Sequence, residues 1–558
     1  MSQADAAPGG RATSRPTSHV DTFVLDRLPP PELQPAFINL DRLNYPERLN
    51  AVAEIVDKHV REGRGGRLAV RGPGVHWSYD DLARIINRLA NVLVGKLGLV
   101  PGNRVLLRAA NTPTMVALYL AVIKAGGIVV ATMPLLRAKE LVPIIDKAQI
   151  ALAFSDETLI TELAAAASGN AFLKRVVTWS GNLGGELGSL LDGVPDAFEA
   201  VNTFADDPCL LGFTSGTTGV PKATIHYQRD LLVICDCYAK EILRADPDDS
   251  FIGSPPLAFT FGLGGLVLFP FRIGASTVLP AKSAPDDLAR AIGEYRPTVC
   301  FTAPTAYRAI LARIGEYDLS SLRKCVSAGE ALPLPTFNAW KEATGLTLLD
   351  GIGSTELLHI FISAREEGVR PGCTGKPVPG YEAQVVDDAG GPVPDGTPGR
   401  LAVRGPIGCR YLDDPRQVNY VQHGWNITGD TYIRDEDGYF RYQARSDDMI
   451  VSAGYNIGGP EVEASLLAHE AVLECGVVAA PDPERGSVVK AYVVLREGHV
   501  GDDTLRKTLQ DHVKQDLAPY KYPRAIEFVD TLPKTESGKL QRFSLRKLAA
   551  ETAKDTRE

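Results

Sequence analysis

Apolar and polar positions along the chain follow two periods that alternate from about residue 45 onward. A first helix is predicted by apolar residues at helical spacing: Leu49, Val52, Ile55 and Val56. Further along, Val105–Arg108 is typical of a strand, Thr114–Ala125 of a helix and Gly127–Thr132 of the next strand. Such alternation predicts α/β layers built on largely parallel sheets.

The pattern changes after about residue 380. Short apolar runs separated by Gly, Pro and Asp predict a β-rich subdomain over about residues 380–446, with strands Glu382–Val386, Gly399–Arg404 and Gly438–Arg441. Beyond Asp447 a compact α+β pattern is predicted. Its elements are strand Met449–Ser452, helix Pro460–Ala468, strands Val472–Ala479 and Lys490–Leu495, helix Asp503–Asp516 and strand Ala525–Phe528.

These patterns divide the chain of 558 residues into three parts. Residues 1–30, rich in Ser, Thr, Gly and Pro, predict a flexible leader. Residues 31–446 predict a large N-terminal α/β domain that includes the β-rich subdomain, and residues 447–558 a small C-terminal α+β domain. Two domains are expected because a single hydrophobic core rarely grows past about 250–300 residues.

Composition narrows the classes of partner. The net charge of −9 gives a surface that repels nucleic acid and anionic membranes. No apolar run reaches the roughly 18 residues that a transmembrane helix needs, and no signal peptide is indicated. Eight scattered cysteines without a CxxC pair are typical of reduced thiols. We expect a cytoplasmic protein with small-molecule partners.

One segment carries a dense set of groups that suit a polyphosphate. It follows an apolar strand, and its donors and turn residues are Thr214, Ser215, Gly216, Thr217, Thr218, Gly219 and Lys222. Glycines let backbone N–H groups converge on an anion, while hydroxyls and a lysine add donors and charge. It is not a Walker A loop, because that loop needs GxxxxGK[ST] and Pro221 lacks an amide proton.

The segment resembles the signature loop of the ANL superfamily of acyl-CoA synthetases, peptide-synthetase adenylation domains and luciferases. Further motifs of that superfamily follow in its order within residues 50–547: Ser327–Glu330, Asp350–Glu356, Thr428–Asp430, Arg445–Asp448, Ser452–Asn456 and Leu532–Lys539. The resemblance implies a large N-terminal domain and a mobile C-terminal domain. It also implies an enzyme that joins a carboxylic acid to AMP, using ATP, and then transfers the acyl group to coenzyme A.

The resemblance assigns roles to single residues. Thr355 would hydrogen-bond the α-phosphate, Glu356 would bind Mg²⁺, and Lys539 would stabilise the charge that develops during adenylation. Besides the phosphate loop, the expected ATP and AMP contacts are Gly329, Glu330, Asp350, Gly351, Ile352, Asp430 and Arg445. Many relatives have an aromatic residue where this chain has Ile352, so we expect weaker stacking on adenine. Asp447 is the expected hinge, and Gly454 and Tyr455 are expected on the coenzyme A side.

The segments expected to line the acid pocket favour a flat ring. They supply Phe259, Thr260, Phe261, Gly262, Gly353 and His359. The run Gly351–Phe361 is similar to that of benzoate-CoA ligases and 2-aminobenzoate-CoA ligases, and 2-aminobenzoate is slightly favoured over benzoate. Asp236 could bind the ammonium of an amino acid, but a structural helix position is the simpler interpretation.

Two alternatives stay open from the sequence. His359 is either a core residue bonded to a backbone carbonyl or a pocket residue that accepts a hydrogen bond from a ring amine. The thiol acceptor is either coenzyme A or, for a stand-alone adenylation enzyme, a separate carrier protein. A non-catalytic relative is disfavoured because Glu356, Lys539 and the phosphate loop are all present. Both a monomer and a homodimer are compatible with the sequence.

The hinge assignment makes a kinetic prediction. Asp447→Pro should slow thioester formation more than adenylate formation, because proline restricts the backbone rotation needed between the two half-reactions. Single-turnover measurements of each half-reaction test this expectation. Equal losses in both would contradict it.

Overall fold

The computed structural model describes residues 15–214, 221–445, 448–452, 455–482, 486–517, 519–534 and 539–555. Its strands are β1 (Leu68–Gly72), β2 (Val75–Ser78), β3 (Arg104–Arg108), β4 (Ile128–Thr132), β5 (Leu152–Asp156), β6 (Arg175–Trp179), β7 (Pro208–Thr214), β8 (Lys222–Tyr227), β9 (Ser250–Gly253), β10 (Ser276–Val278), β11 (Val299–Thr302), β12 (Lys324–Ala328), β13 (Leu348–Gly353), β14 (Ile360–Ser363), β15 (Lys376–Pro377), β16 (Glu382–Val386), β17 (Gly399–Arg404), β18 (Val421–Gln422), β19 (Trp425–Arg434), β20 (Phe440–Arg445), β21 (Ile450–Ser452), β22 (Tyr455–Ile457), β23 (Val472–Asp482), β24 (Gly486–Leu495) and β25 (Ala525–Phe528).

Its α-helices are α1 (Lys58–Arg61), α2 (Tyr79–Asn91), α3 (Pro113–Lys124), α4 (Ala138–Ala148), α5 (Ile160–Ala167), α6 (Gly185–Leu191), α7 (Gln228–Ile234), α8 (Thr260–Leu263), α9 (Phe269–Ile273), α10 (Pro285–Tyr295), α11 (Pro304–Leu311), α12 (Leu334–Thr344), α13 (Gln417–Tyr420), α14 (Gly459–Leu467), α15 (Asp503–Asp516) and α16 (Arg542–Asp555). None of these described helices is both long and apolar enough to cross a membrane.

Two mainly parallel sheets form the N-terminal α/β layers. Over the described residues, one has the strand order β15-β14-β13-β12-β11-β9-β10-β1-β2 and the other β6-β5-β3-β4-β7-β8. Neighbouring strands are parallel in the interior of both sheets and antiparallel at edges such as β7–β8 and β13–β14. Helix α3 between them is almost wholly buried, and the Thr112 hydroxyl caps it by accepting from the Met115 amide. The predicted α/β class is confirmed.

The β-rich part forms a separate sheet. Strands β16, β17, β19 and β18 follow one another in it, and β20 pairs with β19. The bounds predicted for β16 and β17 agree with the structure, but the last strand begins at Phe440 rather than Gly438. Gly438 instead has φ +80 and closes a turn by donating to the carbonyl of Asp435, a conformation that glycine favours.

The C-terminal part has its own hydrophobic core. Strands β23, β24 and β25 form its sheet, and the buried cluster of α14, α15 and this sheet draws on residues between Ile450 and Ile526. Helix α15 and strand β25 have the predicted bounds, whereas α16 was not predicted. This core shares no member with the hydrophobic clusters of the N-terminal part.

The leader was predicted to be flexible up to residue 30, and the structure corrects this for residues 15–30. Val24 is fully buried, and the Asp21 carboxylate binds the Arg104 guanidinium and accepts from the Asn103 amide at 2.9 Å. The prediction was wrong because composition signals flexibility but cannot reveal partners about 80 residues away. Residues 1–14 lie outside the described part of the chain.

This packing predicts a stability effect. Asp21→Asn should lower the free energy of unfolding by about 1–2 kcal/mol at pH 7, because it removes the carboxylate partner of the nearly buried Arg104. Arg104 and backbone contacts lower the pKa of Asp21 in the folded state, so the stabilisation is present above about pH 4 and is lost as the pH falls further. Urea unfolding at several pH values measures it.

Asp26→Asn is the matched control, because Asp26 is exposed and bonded only locally to the Thr22 hydroxyl. Its effect should stay within about 0.5 kcal/mol. An Asp21 variant as stable as the wild type would show that residues 15–30 do not pack as described.

Candidate active site

A cavity of about 2040 Å³ lies between the N-terminal sheets, the β-rich sheet and the C-terminal domain. Most residues that the sequence nominated line it: Thr214, Lys222, Phe259, Thr260, Phe261, Gly329, Glu330, Asp350, Gly351, Ile352, Gly353, Thr355, Glu356, His359, Asp430, Arg445 and Lys539. The fold therefore brings together residues separated by more than 300 positions.

The phosphate segment is framed by two adjacent strands. Thr214 ends β7 and Lys222 begins β8, and the two residues are cross-strand partners. The hydroxyl of Thr214 is buried and has no hydrogen-bond partner among the described residues, so it is available to a ligand. Ser215, Gly216, Thr217, Thr218 and Gly219 lie outside the described residues. The sequence analysis did not predict β8.

A short turn after β13 presents Thr355 and Glu356 to the cavity. The Ser354 hydroxyl caps the turn by accepting from the Leu357 amide at 3.2 Å. The His226 Nε2 lies 2.8 Å from the Thr355 carbonyl oxygen, and burial lowers the pKa of His226 to about 4. The imidazole is therefore neutral, and the distance assigns its proton to Nε2, which donates to the carbonyl. This hydrogen bond holds the backbone of the turn at Thr355.

The Glu356 carboxylate is buried and carries a counter-charge nearby. Its side chain is 8% exposed, and its Oε1 lies 3.4 Å from the Lys222 ammonium. The Tyr411 hydroxyl donates to the same oxygen at 2.6 Å. Burial and this neighbouring carboxylate raise the pKa of Tyr411, so the hydroxyl keeps its proton.

Asp430 and Arg445 face each other on adjacent strands. They are register partners on β19 and β20, and Arg445 Nη1 lies 3.2 Å from Asp430 Oδ1. Burial raises the pKa of Asp430, and the Arg445 charge opposes that effect. A carboxylate held in this way can accept from two neighbouring hydroxyls, which suits a ribose.

Asp350 lies within β13 and lines the cavity. Its Oδ1 has no hydrogen-bond partner in the described regions, and burial raises the pKa of the carboxyl to about 7. Ile352 on the same strand is partly buried and lines the cavity. An unpaired polar group beside an apolar face is the environment that a purine base with an exocyclic amine would complete.

Lys539 brings the C-terminal domain into the site. A Cβ atom added at Gly329 would lie 3.6 Å from the Lys539 ammonium nitrogen, and both residues line the cavity. The surrounding walls desolvate the ammonium and lower its pKa, Glu330 opposes this, and Arg445 adds to it. The C-terminal part of the chain thus contributes its motif lysine to the cavity wall.

Aromatic rings surround His359, which lines the cavity. The ring centroid of His359 lies 5.7 Å from that of Phe261 and 4.6 Å from that of Phe269, and Phe301 and Tyr238 complete the shell. Gly264 permits this packing, because a Cβ there would lie 2.3 Å from His359 Cδ2.

Two other glycines are needed for backbone packing. A Cβ at Gly262 would lie 2.3 Å from the Pro256 carbonyl oxygen, and one at Gly353 would lie 2.6 Å from the His359 carbonyl oxygen. Gly353 lines the cavity, whereas Gly262 packs behind it and does not line it. The sequence nominated both as pocket residues, and the structure places only Gly353 on the cavity wall.

His359 combines features of both interpretations left open by the sequence. It is 2% exposed, yet it lines the cavity, and neither ring nitrogen has a hydrogen-bond partner of normal geometry in the described structure. Burial lowers its pKa to about 3, with an opposing contribution from the Phe261 backbone. The ring is therefore neutral.

Asp236 does not belong to the site. It accepts two hydrogen bonds from Arg272, at 2.9 and 3.0 Å, and one from the Tyr45 hydroxyl at 2.6 Å. It is absent from the cavity wall, so the structural interpretation of this residue agrees with the fold.

The three residues nominated for the hinge and the coenzyme A side contribute nothing to the described geometry of the site. Asp447 and Gly454 lie outside the described residues, and Tyr455 is placed only as the first residue of β22. Their hinge and coenzyme A roles stay predictions.

Sequence reasoning missed five residues around the site: His226, Tyr238, Phe269, Phe301 and Tyr411. His226 and Tyr411 brace the turn that carries Glu356, and the other three pack around His359. The alternation of β8 offered a signal for His226, since it points to the same face as Lys222 and Thr224. No local pattern relates Tyr411 to Glu356, 55 positions away.

Comparison with known families agrees with this geometry. The family model described as AMP-binding enzyme matches residues 56–410, and the model for the AMP-binding enzyme C-terminal domain matches residues 461–539. The chain belongs to this family of AMP-binding enzymes. The ANL resemblance carried by the sequence motifs is thereby confirmed, and the two matches fall on the N-terminal layers and the C-terminal unit.

Among AMP-binding enzymes, the chain is similar to several that are named for aromatic acids. It is 37% identical over 513 residues to a benzoate–CoA ligase of Thauera aromatica, covering 90% of this chain and 97% of the relative. A crystal structure of an anthranilate CoA ligase in complex with anthranoyl-AMP matches with a TM-score of 0.87 and 34% identity, over 92% of this chain and 99% of the other. A benzoate CoA ligase of Burkholderia xenovorans matches with a TM-score of 0.81 and 33% identity, over 89% and 100%.

The position of Lys539 predicts its importance for adenylation. Lys539→Ala should slow acid-dependent exchange of pyrophosphate with ATP by about 10²-fold or more, because one preorganised charge at the reacting phosphate is lost. Thioester formation from a supplied aryl-adenylate should be retained, since that step does not form the adenylate.

Lys547→Ala is the matched control, because Lys547 is exposed on α16 and pairs only with Glu551. It should exchange pyrophosphate at the wild-type rate. Full exchange activity in Lys539→Ala would remove the lysine from the mechanism.

Proposed function

We propose that this AMP-binding enzyme is an aromatic acid:CoA ligase of the AMP-forming type, with 2-aminobenzoate or benzoate as its acid. One observation carries the proposal: a ring-lined pocket, the Asp430–Arg445 pair and Lys539 all line a single cavity. The names of the relatives support the same reaction class.

In the first half-reaction, a carboxylate oxygen of the acid attacks the α-phosphorus of ATP. The bond between that phosphorus and the bridging oxygen to the β-phosphorus breaks, and pyrophosphate leaves. Two anions must approach for this step, so the site has to hold them in line and balance their charge. Lys539 would lie between carboxylate and α-phosphate, Thr355 would donate to the α-phosphate, and Lys222 would hold the outer phosphates.

The nucleoside end would be held by the walls described above. Asp430 would accept from the ribose hydroxyls with Arg445 beside it, and Asp350 would pair with the exocyclic amine of adenine. Ile352, Gly351 and Gly329 would cover the base without aromatic stacking. For Asp350, the assignment would pair a buried carboxylate oxygen that lacks a partner among the described residues with a nucleotide amine that can donate to it.

The residues present also fit Mg²⁺. Glu356 offers a buried carboxylate at the cavity wall, and the unpartnered Thr214 hydroxyl lies at the end of the phosphate segment. Mg²⁺ is held in such sites by one or two carboxylates together with phosphate oxygens and water. It would supply positive charge to the phosphate oxygens of ATP.

In the second half-reaction, the coenzyme A sulfur attacks the acyl carbonyl carbon, the C–O bond to AMP breaks, and AMP leaves. The thiol gives up its proton as the thioester forms. Lys539 lines the cavity in this structure, so under this proposal the C-terminal domain would have to rotate about Asp447 before Gly454 and Tyr455 could face the incoming thiol. A carrier-protein thiol would follow the same chemistry, and the acceptor assay separates the two.

His359 would choose between substituted acids. Its neutral ring has unused hydrogen-bonding nitrogens inside an apolar shell, where an unmade hydrogen bond is costly. An amine at the 2-position of the acid would meet that need, whereas benzoate would leave it unmet. We therefore favour 2-aminobenzoate over benzoate.

An ATP-dependent thioester assay tests the function. With coenzyme A, 2-aminobenzoate and benzoate should both give a thioester and AMP, and a medium-chain fatty acid should react poorly. His359→Leu should lower kcat/KM for 2-aminobenzoate about tenfold relative to benzoate, which is about 1.4 kcal/mol for one lost hydrogen bond. Because the pKa of His359 is about 3, the wild-type ratio should not change between pH 6 and pH 8.5.

His59→Leu is the control, since His59 is equally buried but bonds to the Phe271 carbonyl oxygen and lies off the cavity wall. It should leave the ratio of the two acids unchanged. Preference for the fatty acid would contradict the aromatic pocket, and activity with a carrier protein but not coenzyme A would contradict the acceptor.

A further inference from the structure

The turn that bears Glu356 is fixed at its backbone by His226, but its carboxylate is held by a different residue. Glu356 Oε1 lies 2.6 Å from the Tyr411 hydroxyl oxygen, and that oxygen lies 2.7 Å from the Lys222 ammonium. The three side chains form a continuous chain of hydrogen bonds at the phosphate end of the cavity.

The direction of these bonds follows from the groups themselves. An ammonium can only donate and a carboxylate can only accept. Tyr411 therefore accepts from Lys222 and donates to Glu356. The phenolic hydroxyl of tyrosine can both accept and donate a hydrogen bond. Phenylalanine has a ring of the same size but can do neither.

Tyr411 is built into the wall. It is 1% exposed, its amide donates to the Gln417 side chain at 2.8 Å, and it forms a bridge with Thr224 of β8. The neighbouring Leu412 amide donates to the Ala223 carbonyl at 2.8 Å. The segment thus lies along β8, the strand that begins at Lys222, and its hydroxyl has little freedom to move.

The second oxygen of Glu356 accepts no hydrogen bond from the described residues. One oxygen is thus used internally, and the other is left for a ligand. A partner that bonds a metal-binding carboxylate in this way orients it and typically changes metal affinity about 10–100-fold when removed.

We propose that Tyr411 is a positioning residue that orients the Glu356 carboxylate for the divalent cation accompanying ATP, a role that rests on the proposed metal binding by Glu356. Lys222 belongs to the same arrangement. Through Tyr411 it would steady the carboxylate. The cation and the outer phosphates are then received by groups already linked to each other.

The test measures metal affinity rather than turnover. Mn²⁺ is titrated into the full-length protein with α,β-methylene-ATP, and free Mn²⁺ is followed by electron paramagnetic resonance. Tyr411→Phe should weaken Mn²⁺ binding about tenfold. AMP binding without metal should stay within about twofold of the wild type, which shows that the site is folded. Raising Mg²⁺ should restore most of the adenylation rate.

Tyr307→Phe is the matched control, because its hydroxyl is equally buried, donates to the Cys300 and Val326 carbonyl oxygens and lies off the cavity wall. It should bind Mn²⁺ like the wild type. Tyr411→Met, which also lacks the hydroxyl, should repeat the loss and stands in if the phenylalanine variant does not fold.

Glu356→Gln separates the two levels of the proposal. If it lowers Mn²⁺ affinity while Tyr411→Phe and Tyr411→Met both bind as the wild type, the positioning role of Tyr411 is wrong and the metal role of Glu356 stands. If Glu356→Gln itself binds Mn²⁺ normally, both roles are wrong. Loss in both single variants without further loss in the double variant supports the proposal.

Discussion

The buried charge of Glu356 is the constraint around which the site is organised. A carboxylate almost closed off from water is costly unless it is paired and hydrogen-bonded. Its partners come from different parts of the chain. Lys222 begins β8 of one parallel sheet, Glu356 follows β13 of the other, and Tyr411 lies between β17 and α13 in the β-rich part. Satisfying one charge therefore ties three sheets together at the point where phosphate must bind.

Three other residues that line the cavity carry buried polar atoms without a hydrogen-bond partner among the described residues. These atoms are the Thr214 hydroxyl, Asp350 Oδ1 and both His359 ring nitrogens. Under the proposed function, these groups would meet a phosphate, a base and a substituted ring, respectively. Unmade hydrogen bonds lower the stability of the empty protein, and a ligand that makes them recovers that free energy on binding. Under the proposed function, both the paired and the unpaired polar groups of the cavity would therefore contribute to ligand selectivity.

Sequence patterns predicted the fold class, and short motifs nominated residues that line the cavity, because alternating periods and short motifs are local signals. Helix α15 and strands β16, β17 and β25 have the predicted bounds. Contacts that depend on distant residues were not predictable in this way. Composition suggested a flexible leader, but Asp21 meets Arg104 on β3 and Val24 is buried. Tyr411 has no motif of its own, and its role follows only from the fold that brings it to Glu356.

The acid pocket shows the same division between local and distant signals. Phe261 and His359 were nominated from two short runs. The other rings around His359 are Tyr238 after α7, Phe269 in α9 and Phe301 in β11. Gly264 is explained by a clash that only the folded protein reveals, since its missing Cβ makes room for the imidazole. The packing around His359 therefore depends on contacts between residues that lie in different motifs.

The central claim is that the acid is activated by attack on the α-phosphorus of ATP. Supplying the aromatic acid with ¹⁸O in its carboxylate and analysing the products by mass spectrometry tests this claim directly. An acyl-adenylate that is then cleaved by the thiol transfers one ¹⁸O atom to AMP and leaves pyrophosphate unlabelled. Label in a phosphate product other than AMP, or unlabelled AMP alongside labelled water, would contradict the account.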